Sequence, residues 1–182
     1  YEGTIQRTLS GTASNAKTQL DSWYNSIIGN DTTHSSKIAD GKYCNDRDVQ
    51  SGSTWVINGG SFNYAGAKRL YEDYAPTLSC SNGDIYSLKV GLITADEVEL
   101  AGGKYAENTS YYLYNGQHYW TMSPRQWYST NNYAYVFYVR ENGLLNDDGV
   151  FNALGLRPVI NLRSDVTFSG GNGTLDNPYV VE

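Results

Sequence analysis

Apolar residues recur at helical spacing early in the chain, at Ala16, Leu20, Trp23, Tyr24, Ile27 and Ile28. This periodicity predicts a helix over 14–28, capped by Ser14 and stopped by Gly29. A polar loop is expected over 30–36. The stretch "KYCNDRDVQSGSTW" reads as irregular backbone pinned by Cys44, and residues 64–74 as a short helix ended by Pro76. In "KVGLITADEVELAGG" a strand over 89–93 precedes a helix that Thr94 and Glu97 open as a capping box and Gly102 closes. Asp96, Glu97 and Glu99 then read as partners of the helix dipole.

The second half changes period. Residues 119–122 read as a strand, "SPRQWYSTNN" as a loop, and 134–139 as a central strand with apolar residues on both faces. Asn142-Gly143 signals a hairpin wanting positive φ at both residues, and Leu144-Leu145 begins the return strand. Asp148-Gly149 turns again, and 156–162 forms a last long strand, on an edge or bulged because Pro158 lacks an amide. The segment "SGGNGTLDNPYVVE" ends the chain with turns and one short strand. Two helices followed by an antiparallel meander make an α+β layout in one domain over 1–182, with a main body over 1–163 and a tail over 164–182.

Composition narrows the setting. Charged residues are 18% of the chain, with 19 glycines and 17 tyrosines, a loop-rich, β-leaning extracellular profile. The net charge of −6, with no basic cluster denser than Lys68-Arg69, argues against a nucleic-acid partner. No apolar run is long enough to insert into a membrane. The opening "YEGTIQRTLSG" starts in mid-pattern, so the sequence reads as a segment excised from a longer secreted or anchored protein. Cys44 and Cys80 are too far apart for a Cys-x-x-Cys motif and read as one structural disulfide, which implies an oxidising compartment.

Catalytic motifs are missing: there is no nucleophile elbow, Walker loop or dinucleotide fingerprint. His34 and His118 cannot make a zinc site without carboxylates. The clusters "CNDRD" and "NDDG" offer hard oxygens for calcium but lack the spacing of a calcium loop, so no metal ligand or cofactor is assigned.

What the chain does offer is aromatic residues among small amides. Trp127, Tyr128 and Tyr133 fall in or beside a loop with Arg125, Asn131 and Asn132, the mixture that recognition loops use. Asn146, Asp147, Asp148, Phe151 and Asn152 follow the hairpin and would share that surface. Tyr119, Trp120, Tyr135 and Phe137 read as core, and Arg157 as a structural arginine.

The segments "SNAKTQLDSWYNSII", "YCNDRD", "VGLITADEVELAGG", "YYLYNGQHYWTMSP" and "GLRPVINL" together resemble a group of Gram-positive surface-protein domains. In Tyr119-Trp120-Thr121, the 134–139 strand, Gly143 and Arg157-Pro158-Val159, that group is similar to the formylglycine-generating-enzyme-like and collagen-like-adhesin branches of the C-type lectin fold. The resemblance implies two helices flanking a twisted antiparallel sheet and a role as adhesin or receptor-binder. The cysteine pair that formylglycine generation needs in the C-terminal half is lacking, as is the sugar-binding signature of calcium-dependent lectins. The expectation is therefore a non-catalytic extracellular module at the cell surface, binding a host or bacterial glycan or protein. The alternatives are a structural stalk and, further off, a hydrolase using His118.

Overall fold

The computed structural model describes residues 13–54, 60–80, 85–174 and 176–182. The opening segment and Trp55 lie outside them. The architecture is mixed α+β, with short helices, mostly antiparallel sheets and one sheet curled into a half-barrel.

The first helix, α1 (Asn15–Tyr24), starts as expected, with the Ser14 hydroxyl accepting the Lys17 amide. Its α register ends at Tyr24, where the Asn25 amide splits between the carbonyls of Asp21 and Ser22, and a π turn continues to Gly29. Only part of the apolar stripe is covered: Leu20 and Tyr24 are buried, whereas Trp23 and Ile27 are exposed. The expected polar loop contains a further turn, α2 (Thr32–Ser35), because the Asp31 carboxylate caps the amides of Thr33 and His34.

Then come β1 (Ile38–Ala39), β2 (Gly41–Cys44), β3 (Phe62–Asn63), α3 (Ala65–Tyr71), β4 (Ile85–Leu88) and α4 (Ala95–Leu100). The strand expected over 89–93 lies earlier, as β4 against β2, and Gly91 keeps only an isolated bridge to Val159. The disulfide joins Cys44 to Cys80 across a separation of 36 residues. The capping box forms on α4, Thr94 Oγ1 accepting the Glu97 amide and Glu97 Oε2 accepting that of Thr94. Asp96 does more than meet a helix dipole. It is 4% exposed and takes Arg69 through both oxygens, while Oδ1 also accepts the Thr77 amide. Arg69 also reaches Asp46, so one guanidinium ties α3, α4 and the disulfide strand together.

The main sheet is built from β3, β5 (Tyr119–Tyr128), β6 (Tyr133–Val139), β7 (Leu145–Gly149) and the short parallel strand β8 (Gly155–Leu156). The loop expected over 123–132 is largely strand. β5 runs through it to Tyr128, which pairs with Tyr133, so only the tip between them turns. Ten residues of β5 face seven of β6, the excess absorbed in two register shifts on either side of Pro124. A proline is tolerated in this inner strand because it sits in that irregularity. The backbone there is served by buried hydroxyls: Thr121 donates to the Phe137 carbonyl, and Ser123 Oγ accepts the Ala95 amide.

The two faces of the sheet hold separate cores. Tyr119, Phe137, Val139 and Leu145 pack with Leu70, Ala95 and Val98 of α3 and α4. Trp120 and Met122, pointing the other way, pack with Leu20 and Tyr24 of α1 and with Val90 and Leu92. Tyr138 on β6 is buried as well, and β6 is central as expected.

Four expectations about the later strands and turns change. Asn142-Gly143 takes positive φ only at Gly143 (78°). The Gly143 amide bonds Arg140 and the Arg140 amide bonds Leu144, a three-residue loop ending in a left-handed glycine. Asp148-Gly149 is still strand, and the chain turns after it, where the Asn152 amide donates to the Gly149 carbonyl. The long strand over 156–162 divides into β8 and β9 (Asn161–Leu162), the latter pairing with β1, because Pro158 offers no donor between them. The tail is a hairpin of two strands, β10 (Phe168–Gly170) and β11 (Val180–Val181), not one.

Candidate functional site

Tyr133, Tyr135 and Phe137 alternate to one side of β6. Phe137 is buried against α3 and α4, whereas Tyr135, expected in the core, is only half-buried and Tyr133 is exposed. Across the sheet Tyr135 faces Gly149 and Phe137 faces Asp147. Gly149 matters because a Cβ there would lie 2.3 Å from the Phe151 ring: the missing side chain is where that ring rests. Folded back over Gly149, Phe151 meets Tyr133 with ring centroids 4.6 Å apart and planes at 52°. Both rings remain open to solvent, Tyr133 at 39% and Phe151 at 61%.

The two segments singled out in the sequence therefore meet. Around the ring pair, Tyr128 lies opposite Tyr133 in register, with Asn131 and Asn132 exposed on the hairpin tip. Asn132 takes φ 54°, a left-handed turn that asparagine tolerates. The tip is anchored by Ser61, whose hydroxyl accepts the Ser129 amide at 3.0 Å. Asp148 pairs with Val136 and so leaves β7 on the face opposite the rings, where its Oδ1 accepts the Gly149 amide at 2.7 Å and Asn152 Nδ2 at 2.9 Å.

Deeper along the same face, Arg125 lies 3.5 Å from Asp147 and donates to Asn63, and its guanidinium sits 5.8 Å from the centre of the Tyr71 ring. Tyr71 donates its hydroxyl to Asp147 at 3.1 Å, and burial beside that carboxylate pushes the phenol far above its ordinary range. Arg125 and Asp147 thus spend their charges on each other and on the framework. Asn146 faces Tyr138 on the opposite side, away from the ring pair.

Trp127 is a correction. It is 5% exposed and packs with Phe62, Tyr64 and Ala134 on the sheet face opposite Tyr133. It supports the hairpin from beneath and offers no contact area. The register shifts explain the reversal: three extra residues in β5 carry Trp127 to the face opposite Tyr119, although eight positions separate them. Trp120 packs edge-on against Tyr138 at 5.9 Å, and Arg157 donates to the Leu113 carbonyl above the Tyr119 ring.

An open groove of about 550 Å³ lies at the other end of β5, lined by His118, Arg157, Leu154 and Pro158 among others. His118 stacks on Tyr138, and its Nε2 meets the Glu141 carboxylate. Among the described residues, neither these two partners nor the groove lining includes a serine, threonine or cysteine.

Among the described residues no three His, Cys, Asp or Glu side chains gather as a metal-binding group. In "CNDRD", Asp46 is engaged by Arg69 and by the Asp48 amide. No helix among the described residues is long and apolar enough to cross a membrane. No family model matches the chain, and no curated protein or solved structure was found similar to it.

Proposed function

We propose that this chain is a non-catalytic binding module with a C-type lectin-like fold, carried on the outside of a Gram-positive bacterium as part of a surface protein. It meets a glycan or protein on another surface through the β5–β6 hairpin tip and the turn after β7. The observation that carries this reading is the Tyr133–Phe151 contact, which joins two sequence-distant segments into one exposed aromatic surface on a rigid sheet. Stiff rings held by a sheet lose little conformational freedom on binding, and the neighbouring amides supply hydrogen bonds that adapt to the partner. The extracellular setting is supported by the Cys44–Cys80 disulfide, a bond that persists in oxidising compartments.

The test is retention of the purified domain on host and bacterial cell surfaces. The Tyr133→Ala/Phe151→Ala double variant should lose retention while its melting temperature stays within a few degrees of the parent. Undiminished retention by a folded double variant places the contact elsewhere.

A further inference from the structure

Among the described residues, Leu78 is the most exposed leucine, at 72%. It stands in "YAPTLSC", residues 74–80, which form no helix, strand or turn. Pro76 favours extended backbone at Ala75, and past Tyr74 none of these residues takes positive φ. Leu78 and Ser79 are both exposed, so the peptide bond between them is accessible.

Surface loops are ordinarily mobile, but this one is pinned on both sides of Leu78. On one side the Thr77 amide donates to Asp96 Oδ1 at 2.9 Å, and Arg69 holds Asp96 in turn. On the other, the Ser79 amide donates to Thr77 Oγ1 at 3.0 Å, and Cys80 is bonded to Cys44. Both pins lead to one place, because Arg69 also reaches Asp46, two residues beyond Cys44. An apolar side chain is therefore presented on an unbent backbone whose two flanks are fixed to a single framework. An endopeptidase takes its substrate as such a chain, and one ordered beforehand loses little freedom on entering the cleft.

We propose that residues 76–80 are a substrate-like inhibitory loop for serine endopeptidases with an apolar primary pocket, which Leu78 fills. The protease serine attacks the Leu78 carbonyl carbon, and the Leu78–Ser79 bond breaks. The Leu78 acyl group passes to the serine oxygen, and the serine's proton passes through the protease histidine to the Ser79 nitrogen. In an ordinary substrate that amine departs and water hydrolyses the ester. Here Thr77 Oγ1 and the Cys44–Cys80 bond keep the amine beside the acyl carbon. Its attack re-forms the peptide bond and releases the serine faster than water cleaves the ester. The domain occupies the protease without being consumed.

The experiment titrates the disulfide-bonded domain against chymotrypsin, pancreatic elastase and subtilisin with a chromogenic peptide substrate. At least one of the three should be inhibited competitively at micromolar concentration or below, with slow first cleavage at Leu78–Ser79. Leu78→Ala should weaken inhibition about thirty-fold through lost apolar contact in the pocket. Leu78→Lys should transfer inhibition to trypsin. Thr77→Val keeps the shape and the amide but removes the hydroxyl that holds the amine, and should be cut at the same bond about ten-fold faster. No inhibition of any of the three at about 100 μM, inhibition indifferent to Leu78→Ala, a first cut at another bond, or equal cleavage of parent and Thr77→Val would each overturn the proposal.

Discussion

Tyr74 holds φ at 49° just past the end of α3, where helices ordinarily place glycine or asparagine, and its ring is 68% exposed. A side chain in the left-handed region costs about 1–2 kcal/mol, and this ring recovers little of it by packing. Tyr74→Asn should therefore raise stability by about 0.5–1 kcal/mol in urea titrations, because asparagine adopts that conformation more readily. Glu99 gives a second test at this scale. Burial, with the Asp96 carboxylate nearby, pushes its carboxyl from 4.5 up to about 7. A raised pKa means the folded protein holds this proton more tightly than the unfolded chain does. The stabilising contribution is thus complete below pH 4.5 and is lost as pH rises through about 7. Thermal melts of Glu99→Gln should match the parent below that window and exceed it above.

Among the elements, the strand–turn unit of β7 and Phe151 depends on an absent side chain. Gly149→Val should push the Phe151 ring off its seat and reduce retention on cells as much as Phe151→Ala does, with a modest fall in melting temperature. Part of this unit could be read in the sequence: Tyr133 and Phe151 are grouped by residue type and the structure brings them into contact, while Asp148 and Asn152 bond each other and Asp148 leaves the strand on the opposite face. The capping box of α4 was equally legible, because its signal is local. Trp127 was not. Alternation assigns faces only while a strand keeps its register, and the shifts around Pro124 depend on how β6 lies beside β5. Pro124 itself reads as a strand breaker, so the sequence points to a loop where there is an irregular strand. The division at Pro158 follows the same logic in reverse, since β9 leaves the main sheet to pair with β1, a partner more than a hundred residues away.

At the scale of the whole molecule, the disulfide and the Asp46–Arg69–Asp96 group bind the first half of the chain, whose strands are short, into one body. Removing the disulfide as Cys44→Ser/Cys80→Ser should cost about 2–4 kcal/mol in chemical denaturation. The second half relies on the main sheet with apolar packing on both sides. The odd number of surplus residues in β5 sets how this gene can change. Deleting one codon between Thr121 and Arg125 would move Trp127 into the slot of Gln126 on the other face and drive Tyr128 into its pocket, a harsher lesion than most point substitutions. Codons gained or lost between Ser129 and Asn132 leave both strands in phase. Length variation is therefore tolerated where it alters the contact surface and excluded a few residues upstream, which lets the tip diversify while its support stays constant.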